Sequence, residues 1–143
     1  AVAAGGKTDL SLDIARLAGA AVGAVGNRTA AFLSNDDDLR DSVKLIADAV
    51  GEPFWPFPLL EDIRPTLDSP VADLLQSGPT GVIFAGWFLS EFIGDGKSGR
   101  PIPLAHLYFS APAFHFKSPW VFTPKPGSAF GVRPLVRLAV SPA

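Results

Sequence analysis

The sequence has no cysteine and no methionine, only one tyrosine and only two histidines among its 143 residues. Without cysteine there is no disulfide and no thiolate metal site, and a nucleophilic triad would have to be built from serine, histidine and an acid. No serine sits in a Gly-x-Ser-x-Gly elbow. The two histidines, His106 and His115, fall on a predicted strand and in the loop beyond it. Neither helical nor strand periodicity brings them together as metal ligands. A formal net charge of -2 gives no basic surface for nucleic acid and no acidic tail. No apolar run approaches the roughly 18 residues of a membrane span. Ala18–Val25 is the most apolar early stretch, but it is short and broken by glycine, which suits a buried helix or turn. The Ala-rich start lacks the charged and apolar regions of a signal peptide. Because the chain starts at Ala1 without an initiator methionine, it is expected to be processed or part of a longer product.

Against these absences stand 48% hydrophobic and 18% charged residues, the balance of a soluble globular chain forming one domain or part of one. Residues 1–8 read as a flexible lead-in, and 9–143 as the folded segment. Leu10–Ala15 alternates apolar and polar residues as a strand does, and Thr29–Leu33 is a short buried strand. The clearest helix follows. Ser34 or Asn35 is its expected cap, Asp36, Asp37 and Asp38 place negative charge on its first turn, and Leu39, Val43, Ile46, Ala47 and Val50 give it one apolar face. Gly51 ends it. The three aspartates lack the glycine turn and later glutamate of a calcium loop.

Next, Pro53, Pro56 and Pro58 alternate with Phe54, Trp55 and Phe57, which predicts an extended, buried connection. Ser69-Pro70 is expected to open a short helix, and Thr80 to cap another over Val82–Phe92 that is apolar almost all round. Gly94–Arg100 lacks the lysine-hydroxyl ending of a phosphate loop and reads as a solvent loop. Ile102–Ala111 is a further strand. Pro134 opens a final helix with Leu135, Leu138 and Ala139 on its inner side. Strands separated by helices define an α/β layered fold with a partly parallel sheet. Asp13 ends the first strand and is expected to cap a turn or helix.

From about Asp9 to Leu138 the sequence resembles the C-terminal part of the catalytic domain of the leucyl (cytosol) aminopeptidases. The likeness rests on Gly26-Asn27-Arg28-Thr29-Ala30, Ser34-Asn35-Asp36-Asp37, Gly51-Glu52 with Trp55 and Pro58-Leu59, Ser69 to Leu74, Phe88 to Phe92, Ala105-His106-Leu107 and Phe130 to Arg133. It implies an α/β fold with a partial mixed sheet and flanking helices. It also implies a two-metal peptidase chemistry, usually with zinc or manganese, in which a bridging water attacks the peptide carbonyl. The family's metal-ligand motifs, a lysine- and aspartate-bearing glycine-rich segment and an Asn-Thr-Asp-Ala-Glu-Gly-Arg run, do not occur here. The resemblance therefore implies no metal and no catalytic residue in this chain unless another segment completes it.

By the same resemblance, Arg16, Leu17, Ala18 and Gly19 stand where the family has a site-lining Thr-Leu-Thr-Gly turn, and Ser110 and Ala113 would line the pocket for the substrate's first side chain. Tyr108 replaces an aspartate, Gln76 an asparagine, and Ser128-Ala129 a Thr-Gly. His106 and Asp73 match family positions that are not ligands. Two readings follow, and both give the chain protein partners, no nucleic acid and a soluble intracellular setting. In the first it is a catalytically inactive relative serving as a structural or interaction subunit of a larger assembly. In the second it is the C-terminal piece of a split or processed metallo-aminopeptidase, active once joined to the segment that carries the ligands. The drift at Arg16, Ala18 and Tyr108 favours the first. A small binding module unrelated to peptidases is a third. The resemblance also implies an oligomer, since family members are typically hexamers.

Overall fold

The computed structural model describes residues 8–16, 19–114, 118–119 and 121–140. Four strands form one sheet: β1 (Ser11–Ala15), β2 (Ala30–Ser34), β3 (Phe54–Pro56) and β4 (Leu104–Tyr108), in the order β1-β4-β2-β3. β1 runs parallel to β4 and β2 parallel to β3, while β2 and β4 are antiparallel. The expected mixed α/β sheet is present.

Both faces are covered, and the sequence of β2 shows why. Ala30 and Phe32 point to one side, Ala31 and Leu33 to the other, so this strand is an apolar run of the kind buried on both faces. On the first face lie α2 (Asp37–Ala49) and α4 (Val132–Val140), packed on Ala30, Phe32, Phe54, Ala105, Leu107 and Phe109. On the second lie α1 (Ala20–Val25) and α3 (Val82–Ser90), meeting Ala31, Leu33 and Tyr108. The first face carries an aromatic cluster: Phe54 has ring centroids of Phe109 and Phe130 each at 5.6 Å and that of Phe32 at 6.1 Å.

Local chemistry differs from expectation at several points. The N-cap of α2 is Asp36, whose carboxylate accepts from Leu39 N at 2.8 Å. Ser34 and Asn35 tie the sheet instead. Because β2 runs antiparallel to β4, its last residues face the start of β4. There Ser34 Oγ donates to Leu104 O at 2.8 Å, and Asn35 Oδ1 accepts from Leu104 N at 2.7 Å. Gly51 ends α2 as expected, in the left-handed region at φ 75.

The N-cap of α3 is Gly81 rather than Thr80, and glycine is needed there because a β-carbon would lie 2.7 Å from the Ala20 methyl of α1. Thr80 Oγ1 is left buried without a partner. Ser69-Pro70 opens no helix: Ser69 Oγ accepts from Val71 N and Ala72 N, but the turn does not propagate. A 3₁₀ helix at Glu61–Leu67 comes just before it, joined to the residue after α3 by Arg64–Glu91 at 2.6 Å. The proline-aromatic run is extended as β3, with Phe54 buried but Trp55 57% exposed, since an edge strand turns alternate residues outward. In α4, Leu135 and Leu138 pack inward, whereas Ala139 is exposed.

Candidate functional site

β1 and β4 end side by side. Their parallel register puts Ala15 opposite Tyr108, and Phe109 N donates to Ala15 O at 3.0 Å, carrying the pairing one step further. Arg16 therefore leaves β1 next to the point where Phe109 and Ser110 leave β4. Gly19 follows as the N-cap of α1. Ala113 is held at the same end, donating its N–H to Phe109 O at 3.2 Å and accepting from Ser128 N at 3.3 Å. Strand order thus gathers Arg16, Gly19, Ser110 and Ala113 at one end of the sheet. Leu17 and Ala18 lie outside the described residues, as does His115.

Arg16 is exposed, with its guanidinium carbon 5.9 Å from the centre of the Phe114 ring. It is not a buried cation in this chain. Ser110 Oγ is buried and has no hydrogen-bond partner. Tyr108 is 1% exposed and belongs to the core under α1 and α3, so its ring is a packing element. Asp73 is exposed.

One pair was not legible in the sequence. Asp13 and His106 are register partners on β1 and β4, with Asp13 Oδ2 2.5 Å from His106 Nδ1. Asp13 is therefore paired across the sheet and caps no turn. His106 is 1% exposed, and its ring meets Tyr108 edge to face at 5.7 Å. Burial lowers the pKa of His106, with Asp13 opposing the shift through its hydrogen bond and charge. The neutral imidazole then donates from Nδ1 to Asp13, which leaves Nε2 as a buried acceptor without a donor. Alternation within each strand would have put both residues on one face, but only the strand order makes them neighbours.

A cleft of about 770 Å³ lies elsewhere, where β2 and β3 finish and β4 begins, lined by Ser34, Asn35, Phe57, Leu59, Trp87 and Glu91 among others. That is the opposite end of the sheet from Arg16 and Ser110. Several of its polar side chains are already engaged: Asn35 with β4, Ser90 with Gly86 O, and Glu91 with Arg64.

A two-metal centre does not fit the described residues, among which no three of His, Cys, Asp or Glu come together. The Asp13–His106 pair is a hydrogen-bonded unit on its own.

This architecture defines a class: an α/β layer built on a mixed sheet, with its candidate site where two parallel strands end. The family description "Cytosol aminopeptidase family, catalytic domain" matches residues 1–136, and the chain belongs to that family. It corresponds to the C-terminal part of the catalytic domain. The "Probable cytosol aminopeptidase" of Streptomyces griseus is 48% identical over 135 residues, covering 93% of this chain and 25% of the relative. That of Leifsonia xyli is 43% identical over 140 residues, covering 93% and 28%. Among solved structures, the bottromycin maturation enzyme BotP in complex with Mn superposes with a TM-score of 0.83 at 35% identity, over 94% of this chain and 30% of that one. A tomato leucine aminopeptidase mutant gives 0.78 at 30% identity, over 90% and 24%. The chain spans about a quarter of the length of the curated relatives it matches.

Proposed function

We propose that this chain is a catalytically inactive relative of the aminopeptidases, a structural portion of the catalytic-domain fold held by protein partners in a larger assembly. The observation that carries this reading is the bare edge of β1. The strand is paired on one side by β4, has no strand on its other side among the described residues, and leaves Ile14 47% exposed, with Leu10 just before it 44% exposed. An edge with apolar side chains is a surface that other chain segments cover. The likeness to relatives about four times as long supplies a covering segment, one that would also bring the ligands for two zinc or manganese ions. In such an assembly Arg16, Leu17, Ala18, Gly19, Ser110 and Ala113 would line the pocket for the substrate's first side chain. The chain's own part would be to shape that pocket and keep water from its floor.

A second reading is that the completed assembly hydrolyses peptides. The exposure of Arg16 and the core position of Tyr108 favour it, since neither substitution puts a charge inside the sheet. A chimera separates the two. The matching quarter of the Streptomyces griseus relative is replaced by this chain, and leucine amide hydrolysis and bound metal are measured together. The first reading expects a folded, metal-loaded chimera without hydrolysis above background, regained on Arg16→Thr. Full hydrolysis by the unmodified chimera establishes the second reading, and hydrolysis by the 143-residue chain alone overturns both.

A further inference from the structure

We propose that the cleft between the end of β3 and α3 binds a small organic cation with an apolar body, an alkyl- or arylalkylammonium group. Its volume of about 770 Å³ lies within the roughly 300–1,000 Å³ of ligand pockets. Its walls are apolar. Phe57 and Leu59 pack against the core beneath α1 and α3, and Trp87 and Ile93 line the cleft with them. Phe57 N donates to Phe32 O at 2.8 Å, which carries the β2–β3 pairing one residue past the strand and fixes the backbone of this wall.

Trp87 is tied to the rim. Its indole Nε1 donates to Leu60 O at 2.6 Å, joining α3 to the chain that enters the 3₁₀ helix at Glu61. Indole has no further donor and no acceptor, so what it has left to offer the cleft is its ring. A tryptophan ring is the strongest aromatic partner for a cation. Glu61 follows Leu60 directly, which brings an exposed carboxylate to the same rim as the indole. That carboxylate enters no ion pair or hydrogen bond among the described residues.

The other charges around the cleft leave it negative. Arg40 is held by Asp37 and Asp41, and Arg64 by Asp68 and Glu91. Each guanidinium is thus already outnumbered by carboxylates, and Glu61 adds to the excess. An anion would be repelled by that excess, and a neutral ligand would leave both the carboxylate and the ring face unused. A cation is drawn by both. The cleft adjoins β3, the edge strand farthest from β1, so a segment that covers β1 does not close it. The inference is therefore independent of the aminopeptidase reading.

The test titrates phenethylammonium into the isotope-labelled full chain and follows the indole N–H of Trp87 by NMR. Phenethyl alcohol, of the same shape without the charge, is the control ligand. Glu61 is exposed and unpaired, so Glu61→Gln leaves the fold intact. The expected result is a saturable shift at Trp87, with the alcohol bound about ten-fold more weakly than the amine. Glu61→Gln should weaken the amine about three-fold and leave the alcohol unchanged. A blocked peptide pairing lysine with phenylalanine separates the sources of the cation: tighter binding than the free amine assigns it to a peptide side chain, weaker binding to a small amine. The absence of a saturable shift at Trp87 overturns the proposal. So does equal affinity for amine and alcohol, or an amine affinity untouched by Glu61→Gln.

Discussion

The two faces of the sheet are finished to different degrees. Under α2 and α4 the polar groups that enter the core are answered. Glu52, 3% exposed, accepts from Gly131 N at 2.6 Å, and Ser128 Oγ donates to Pro112 O. Four phenylalanine rings interlock there. On the α1 and α3 side and at the neighbouring strand ends, three buried polar atoms among the described residues lack partners: Thr80 Oγ1, His106 Nε2 and Ser110 Oγ. Native interiors leave few such atoms, because each loses the hydrogen bonds that water would give it. The buried polar groups of the first face are thus better satisfied than those of the second.

The largest effect should come from the finished face. Phe54→Ala removes the ring at the centre of the aromatic cluster and is expected to cost about 3–5 kcal/mol in urea unfolding. A loss below about 1 kcal/mol would mean that this core is loosely packed and the two faces are alike. Glu52→Ala comes next, at about 1–3 kcal/mol, because it strands the Gly131 N–H in a buried place. Substitution of Gly131 itself is not a clean comparison, since at φ 91 a side chain is strained and a β-carbon would strike the Phe109 ring.

On the other face the response to acid is more informative. The pKa of His106 is lowered in the folded chain, so the unfolded chain binds the proton first. His106 therefore contributes stability that is fully present above about pH 6.5 and lost as pH falls from there through the folded-state value. The urea midpoint should drop between pH 7.5 and 5.5 in the native chain, and drop less in His106→Gln. Parallel curves would mean that the folded chain protonates His106 as readily as the unfolded one, Asp13 offsetting the burial in full. The smallest effect is expected for Thr80→Val, which deletes a buried hydroxyl without a partner. Stability should be unchanged or slightly raised, and a loss above about 1 kcal/mol would show that Thr80 is bonded after all.

Much of the finished face was legible in the sequence. The recurrence of Leu39, Val43 and Ala47, followed by Gly51, specifies α2, and the apolar runs of β2 and β4 specify buried strands. What escaped was decided by neighbours distant in the chain. Asp36 caps α2 because Ser34 and Asn35 are drawn to β4, and α1 passes so close to the start of α3 that only glycine fits at its cap, Gly81. Asp13 and His106 are adjacent only through the β1-β4-β2-β3 order, which no local pattern encodes. The family resemblance put Arg16, Gly19, Ser110 and Ala113 in one site, and strand register brings them to one end of the sheet. The resemblance could not say that Arg16 faces solvent or that Tyr108 packs in the core.

The measurement that tests the central claim most directly is made on the purified chain alone. It is incubated with manganese or zinc, desalted, and assayed for bound metal by elemental analysis and for hydrolysis of leucine amide. The account predicts no stoichiometric metal and no hydrolysis above the buffer rate. Metal retained at one or two equivalents, together with hydrolysis that a chelator abolishes, would contradict it.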